Sequence, residues 1–477
     1  MTRKLPEGFI GMLESYGQAQ YTETLVKALC ETEPSLAVRA NTRRGAGIIG
    51  NEARIPWLTE SGIYLDKRPN FALDPAWHQG LYYVQDASSA AITAVVTEIA
   101  NKYFDNTTLL YLDACAAPGG KSIAAAEALP EGSVLLSNEY DSRRAAILAE
   151  NIAKYGMANC AVANGDTTRL AALGEIFDIV AVDAPCSGEG MMRKEPEAIA
   201  QWSTGLINSC ATLQRSILSD CWKALRPGGI MIYSTCTFNR NEDEENLAFI
   251  IEQLGGRSIK LSLSTYSGIA NGFDSPYHCY RFMPGHVRGE GLFIAAIRKP
   301  DGDSAALKIK KQGDAKDSTA LNFMHKVLSD GDNYSLRQSK NGNFYAIPTE
   351  HAGLFDYLSS KLHLINCGIS IGSIKGKDIV PAWQLAFCEA LNPDAFPTLD
   401  LDYKSALSYL HGDSLSDMPD GLLKGFILCT FENRPLGFIK NIGRRANNLF
   451  PDNLRLRLDP TKADLNDYIR IVKPSQL

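Results

Sequence analysis

The chain has 477 residues, 45% hydrophobic and 21% charged, with a formal net charge of -6. That length exceeds one ordinary domain, so two or three are expected. No apolar run is long enough to span a bilayer and Met1-Thr2-Arg3-Lys4-Leu5-Pro6-Glu7 lacks a signal-peptide core, which excludes a membrane role and predicts a cytoplasmic protein.

The acidic balance argues against an indiscriminate nucleic-acid binder, although local patches decide that question. The eleven cysteines include no Cys-x-x-Cys pair, and with seven dispersed histidines no metal site is expected. Cys30, Cys210, Cys221, Cys388 and Cys429 lie in apolar settings and read as small core residues.

Residues 1–95 read as a mostly helical segment, because Phe9, Met12 and Leu13, then Tyr21, Leu25, Val26 and Leu29, recur at helical spacing. A short basic stretch, Arg39-Ala40-Asn41-Thr42-Arg43-Arg44, reads equally well as a nucleic-acid contact or a solvated turn. From 96 to 299, apolar strands alternate with helices. Strands are predicted at 109–114, 133–139, 160–165, 177–183 and 229–234, helices at 141–155 and 207–225, and a closing hairpin at 279–283 and 292–298. Strands this apolar, separated by helices, imply an α/β fold with a mostly parallel sheet covered on both faces. Residues 300–320 are poor in large apolar side chains and read as a linker. The region 321–477 turns to short strands and ends in a locally basic stretch with Arg434, Lys440, Arg444, Arg445, Arg455 and Arg457.

Chemistry concentrates at the predicted strand ends. The first strand runs into Asp113-Ala114-Cys115-Ala116-Ala117-Pro118-Gly119-Gly120-Lys121-Ser122. This loop lacks the glycine spacing of a phosphate loop or a dinucleotide fingerprint. A tight turn opening a helix remains, and in open parallel sheets ligands bind at that edge. Glu139 ends the second strand, where a carboxylate can accept two ribose hydroxyls; Asp166 ends the third, where it can bond an adenine amino group. The alternative is that both only cap the following helices. A nucleoside without polyphosphate suits this set, and S-adenosylmethionine is such a ligand. Two thiols follow later strands, in Val182-Asp183-Ala184-Pro185-Cys186-Ser187-Gly188 and Tyr233-Ser234-Thr235-Cys236-Thr237. Carbon 5 of cytosine is a poor nucleophile until a thiolate adds to carbon 6, so a cysteine beside such a ligand points to pyrimidine methylation. Asp183 can hold the base's amino group and N3. A helix predicted to start near 239–242 would lower the pKa of Cys236. The residues alone leave open which thiol attacks.

These three motifs resemble those of the RNA 5-methylcytosine methyltransferases of the Fmu/Nol1/Nop2/Sun group, over roughly residues 30–299. The resemblance implies a Rossmann-like S-adenosylmethionine-dependent core with a seven-stranded sheet. It implies that Cys236 is the nucleophile, that Cys186 assists release, and that Cys115, Ala116, Ala117, Pro118, Gly119, Gly120, Lys121, Glu139, Asp166 and Asp183 form the cofactor site. The DNA enzymes use the Pro-Cys thiol and normally lack the second one, so the pair points to RNA. Gly188-Glu189-Gly190-Met191-Met192-Arg193-Lys194 resembles one branch, with Met192 in place of Phe. Gly437-Phe438-Ile439-Lys440-Asn441 and Arg444-Arg445-Ala446-Asn447-Asn448-Leu449-Phe450-Pro451 resemble a PUA-like RNA-binding module. A catalytic core followed by such a module is similar to the small-subunit methyltransferase F family. The implied substrate is 16S rRNA at cytosine 1407 of the decoding region. The expected partner is thus RNA, held by a monomer with an α-rich N-terminal RNA-binding segment. A tRNA methyltransferase and a non-catalytic ribosome assembly factor are the alternatives.

Overall fold

The computed structural model describes residues 3–48, 52–303, 312–415, 419, 421–443, 445–460 and 472–474. Its centre is a sheet with strands β1 Leu110–Asp113, β2 Val134–Glu139, β3 Cys160–Asn164, β4 Phe177–Asp183, β5 Leu225–Thr235, β6 Tyr280–Phe282 and β7 Leu292–Arg298. Their spatial order is β3-β2-β1-β4-β5-β7-β6. The first five are parallel, and β7 runs antiparallel to both β5 and β6. The strand order reverses between β1 and β4, which opens a crevice at their carboxyl ends. Three short strands extend the expected seven. Ile269–Asn271 pairs with β6, Arg257–Ile259 with β7, and Leu364–Cys367 with β3.

The strands form because their alternate residues bury on opposite faces. Tyr111, Leu135, Val162 and Ile179 enter one core, and Leu112, Leu136, Ala163 and Val180 the other. Burying each such large side chain contributes roughly 1.5–3 kcal/mol. Helices α1 Gly120–Ala128, α2 Ser142–Tyr155, α3 Thr204–Ala224 and α4 Glu244–Glu252 cover the sheet. Asp141 caps α2 by accepting from the Arg143 and Arg144 N–H groups, and Gly156 ends that helix at φ 92°.

The N-terminal segment opens with two helices, Glu7–Ser15 and Ala19–Glu31, and has only the short α-helix Pro75–His78 before Ile92–Tyr103 begins. The rest of the segment is organised by a three-stranded antiparallel sheet of Leu36–Ala40, Gly62–Leu65 and Tyr82–Val84, whose short strands left too little periodicity to read. The two helices pack Phe9, Leu13 and Leu29 against Met192, Phe238 and Met283 of the catalytic region. The basic stretch at 39–44 does contain a turn, Thr42–Arg44, with Thr42 and Arg43 exposed, but its arginines are engaged with other parts of the protein. Arg39 is buried in an ion pair with Glu127, Arg43 pairs with Glu389 at 3.2 Å, and Arg44 donates to the Gln79 and Lys154 carbonyls.

The expected linker is only partly visible, since 304–311 lies outside the described residues, and helix Ser318–Val327 already begins within it. Helix Ala352–Lys361 packs Phe355 and Leu358 into the catalytic core. The last sheet, Thr398–Leu401, Gly425–Phe431, Arg434–Asn441 and Ala446–Asn448, has its own core around Tyr409, Leu436 and Ile439, joined by Leu73 of the N-terminal segment. Several basic residues of this region serve internal contacts. Arg434 donates to the Arg44 carbonyl at 2.6 Å and Arg455 pairs with Asp452 at 2.6 Å, while Arg444 lies outside the described residues. Of the cysteines read as core, Cys221, Cys388 and Cys429 are buried, but Cys30 and Cys210 are only half-buried on helix flanks. No helix among the described residues is long and apolar enough to cross a membrane.

Candidate active site

The crevice at the ends of β1 and β4 brings the loop together with Asp113 and Asp183, whereas Cys186, Cys236, Glu139 and Asp166 do not line it. A cleft of about 190 Å³ is lined there by Asp113, Cys115, Ala116, Ala117, Pro118, Gly120, Lys121 and Asp183, with Tyr83 to Asp86 opposite. The loop turns through a cis Ala117–Pro118 bond and Gly119 at φ 112°. A side chain at Gly119 would be strained at that φ, and one at Gly120 would come within 3.1 Å of Tyr83. Helix α2 fixes the loop from behind, with Asn151 donating to the Pro118 carbonyl at 2.8 Å and Arg144 to the Ala117 carbonyl at 2.8 Å.

Charge in the crevice is paired across the two strand ends. Asp183 accepts from Lys121 Nζ at 2.8 Å and from Ser234 Oγ at 2.9 Å. Burial pulls the Lys121 pKa down, but the Asp183 carboxylate outweighs it and the net shift is upward, so Lys121 stays charged. Asp113 is deeply buried and accepts from Ser122 Oγ at 2.6 Å. Burial pushes its pKa up to about 7. Its other oxygen has no hydrogen-bond partner among the described residues.

Cys186 Sγ and Cys236 Sγ face each other at 3.2 Å. The contact with Cys236 is the main reason that the Cys186 pKa rises well above the ordinary thiol range, with burial second. Lys121 feels the charge of Cys236. Helix α4 starts only at Glu244, with Thr237 to Asp243 intervening, so Cys236 does not sit at a helix N-terminus as the sequence suggested. The intervening residues instead lock the two thiol loops together.

Those locking residues were not anticipated. Glu242 is fully buried and accepts from the Ser187 N–H at 3.0 Å, Gln214 Nε2 at 2.7 Å and Asn239 Nδ2 at 2.8 Å. Glu189 accepts from the Phe238 N–H at 2.7 Å and from Trp202 Nε1 at 2.9 Å, and burial pushes its pKa up to about 6. The Gly190 N–H donates to the Cys236 carbonyl at 2.7 Å. Arg193 forks onto Glu290 at 2.6 and 3.0 Å. The Gly188 to Lys194 motif is therefore a brace beneath the Cys236 loop. Its one acid, Glu189, flanked by glycines and Met191-Met192, is the sequence signal that could have revealed this, because a buried acid requires partners.

Glu139 and Asp166 lie at the ends of β2 and β3. Glu139 accepts from the Ala117 N–H at 3.3 Å and the Asp141 N–H at 3.0 Å, and pairs with Arg144 at 3.3 Å; it does not cap α2. Asp166 caps the short helix Thr167–Ala171 through Thr168, and its carboxylate is exposed. Lys121 is committed to Asp183 rather than offered to a phosphate. A crevice with the Asp113 and Asp183 carboxylates and an unsatisfied Asp113 oxygen suits a cationic nucleoside such as S-adenosylmethionine.

The family model for 16S rRNA methyltransferase RsmB/F matches residues 102–298. Models for the N-terminal domain of 16S rRNA methyltransferase RsmF and for the methyltransferase RsmF PUA domain match 5–87 and 396–456. The chain is 30% identical over 422 residues to ribosomal RNA small subunit methyltransferase F of Enterobacter sp. (strain 638), covering 84% of this chain and 83% of the relative. It is 31% identical over 416 residues to the protein of that name from Salmonella typhi, covering 84% of each. Among solved structures, PH0851 superposes with a TM-score of 0.53 at 23% identity, over 62% of this chain and 66% of the other. NSun6 from Pyrococcus horikoshii, solved with SFG, gives 0.51 at 20% identity, over 62% and 99%. At these identities the structural likeness speaks for the fold.

Proposed function

As the chain belongs to the 16S rRNA methyltransferase RsmB/F family, among relatives named ribosomal RNA small subunit methyltransferase F, we propose that it methylates carbon 5 of cytosine 1407 through a covalent Cys236 adduct. The coarser activity, S-adenosylmethionine-dependent methylation of small-subunit rRNA, follows from family membership. The observation that carries the finer reading is the pair of thiols 3.2 Å apart beside the Lys121–Asp183 ion pair.

Bound in the crevice, S-adenosylmethionine supplies an electrophilic methyl group. The residues proposed to hold it are Cys115 to Lys121, Glu139, Asp166 and Asp183. Cys186, whose pKa is raised by its contact with Cys236 and by burial, is the S–H donor towards the Cys236 sulfur. Asp183 orients the cytosine through its amino group and N3. Cys236 adds to carbon 6, and the resulting enamine makes carbon 5 nucleophilic. After methylation a base takes the carbon-5 proton, Cys236 leaves as a thiolate, and Cys186 assists that release. The target base must leave its stack to reach Cys236, at a cost of a few kcal/mol. The N-terminal segment and the C-terminal module would hold the RNA by phosphate and shape contacts. The proposed setting is the cytoplasm and the proposed state a monomer.

Cys236→Ala is expected to abolish methylation, and Cys186→Ala to accumulate a covalent protein–RNA complex resolved by denaturing electrophoresis. Wild-type activity in Cys236→Ala would sink the mechanism. Bisulfite sequencing of rRNA and tRNA from a deletion strain identifies the target. Loss of a tRNA mark with rRNA unchanged overturns the rRNA assignment.

A further inference from the structure

A second cavity lies beside the crevice at the ends of β1 and β4. It is a cleft of about 980 Å³ between the N-terminal sheet and the outer faces of α1 and α2. It meets the crevice at Tyr83 and Val84, which line both. The protein is acidic overall, yet the charge in this cleft is reversed. Arg39, Lys67, Arg68 and Lys154 line it against a single acid, Glu127, and Glu127 is already paired with Arg39.

Lys67 and Arg68 form no ion pair among the described residues, and Lys154 has only the more distant charge of Glu150, one helical turn away, acting on it. Lys67 and Arg68 are exposed, with Arg68 5.5 Å from the Phe71 ring centroid. Lys154 lies 4.9 Å from the ring centroid of the half-buried Trp77. Burial lowers the Lys154 pKa, so an anion placed there would restore what its ammonium has lost in hydration. Arg39 Nη2 is buried without a hydrogen-bond partner among the described residues, a donor left for something that enters the cleft.

Unpaired cations beside aromatic faces are the chemistry that binds single-stranded nucleic acid, phosphates to the cations and bases to the rings. We propose that this cleft is a second RNA-binding site, which takes an unstacked single-stranded segment of the substrate next to the target cytosine. The proposal rests on the rRNA methyltransferase reading. It adds a location that neither thiol chemistry nor the C-terminal module supplies. Trp77 provides a stacking surface, and Lys67, Arg68 and Lys154 neutralise phosphates. The shared wall at Tyr83 and Val84 lets one strand run from the cleft towards the crevice.

The test uses the full chain and a fragment of 16S rRNA containing the decoding region. Binding is measured by fluorescence anisotropy across a salt series, methylation by KM and kcat, and S-adenosylmethionine affinity by calorimetry. Lys67→Gln with Arg68→Gln should reduce the slope of log affinity against log salt by about 1.4, two single-strand phosphate contacts. Trp77→Ala and Lys154→Gln should each weaken RNA binding about tenfold. KM for RNA should rise with little change in kcat, because the contact is uniform between ground and transition states. Both Lys67 and Arg68 are exposed, so their variant keeps the test valid if Trp77→Ala misfolds. Unchanged RNA affinity and salt slope in the Lys67/Arg68 variant, at unchanged S-adenosylmethionine affinity, overturn the cleft while leaving the reaction intact. Adenosine monophosphate binding as tightly as the RNA fragment also overturns it, in favour of a small-anion site. A wild-type chain that binds no RNA overturns the functional reading and the cleft with it.

Discussion

Cys186 and Cys236 are separated by 50 residues along the chain yet bring their sulfurs to 3.2 Å. That approach predicts oxidative inactivation. A peroxide should take two electrons and two protons from the pair, forming a disulfide and water, and methylation should fall to background until a thiol reductant restores it. Cys186→Ser cannot form this disulfide. Mass spectrometry of the linked peptides checks the bond, and wild-type protein inactivated by peroxide without a Cys186–Cys236 linkage would argue against it. Asp113 gives a pH prediction. Its folded pKa, raised to about 7 from the model-compound value of 3.8, means that its contribution to stability is fully present at acidic pH. The contribution is lost as pH rises between roughly 4 and 7, by at most about 1.4 kcal/mol per pH unit. Chemical denaturation of wild type across pH 4 to 8 should show this slope, and Asp113→Asn should flatten it. The motifs that contain these residues were legible in the sequence, because each is a short stretch at the end of an apolar run. Their partners were not. Nothing local to Asp183 announces that Lys121, 62 residues away, neutralises it.

At the level of elements, the two thiol loops are held by the segment between β5 and α4 and by the Gly188 to Lys194 brace. Gly190 is the tightest point of that brace. A Cβ there would lie 2.7 Å from the Cys236 carbonyl oxygen and 2.9 Å from that of Glu290. Gly190→Ala should therefore displace the Cys236 loop, cost about 1–3 kcal/mol of stability, and lower kcat more than S-adenosylmethionine affinity. Thermal melts, turnover and calorimetry separate those effects. The core strands and α2 were read close to their observed bounds because apolar runs and the Asp141 cap are local signals. The N-terminal sheet was missed, since strands of three to five residues carry too little pattern against the helices before them. Cys236 was expected just before a helix starting near Asn239 to Glu242. Asn239 instead donates to buried Glu189 and Glu242, and the helix starts only at Glu244.

Across the whole molecule, the terminal regions are tied to each other as well as to the core. Gln79 Nε2 donates to the Phe431 and Arg434 carbonyls at 3.0 and 2.8 Å, and Tyr403 donates to the Leu73 carbonyl at 2.8 Å. Strand Leu364–Cys367 completes the edge of the catalytic sheet beside β3. A chain assembled this way should unfold with its N-terminal segment and C-terminal module coupled. Gln79→Leu leaves two carbonyls without their donor and should cost roughly 1–3 kcal/mol. Differential scanning calorimetry should show one main transition shifted down. Early, independent melting of the C-terminal module in the wild type would contradict the coupling.

The sequence by itself determined the reaction class and the frame that carries it. An α/β sheet, a nucleoside-type loop and two thiol motifs are each written in short contiguous stretches, where strand periodicity and turn chemistry act locally. Tertiary structure decided how those stretches meet. It set the switch point between β1 and β4 and the sulfur contact between Cys186 and Cys236. It made Arg39, Arg43 and Arg44 ties between regions, and it opened a basic cleft in an acidic protein. The physical reason is common to all of these. Burial and charge pairing depend on neighbours tens or hundreds of residues away, and an arginine looks the same in sequence whether water or a buried carboxylate surrounds it.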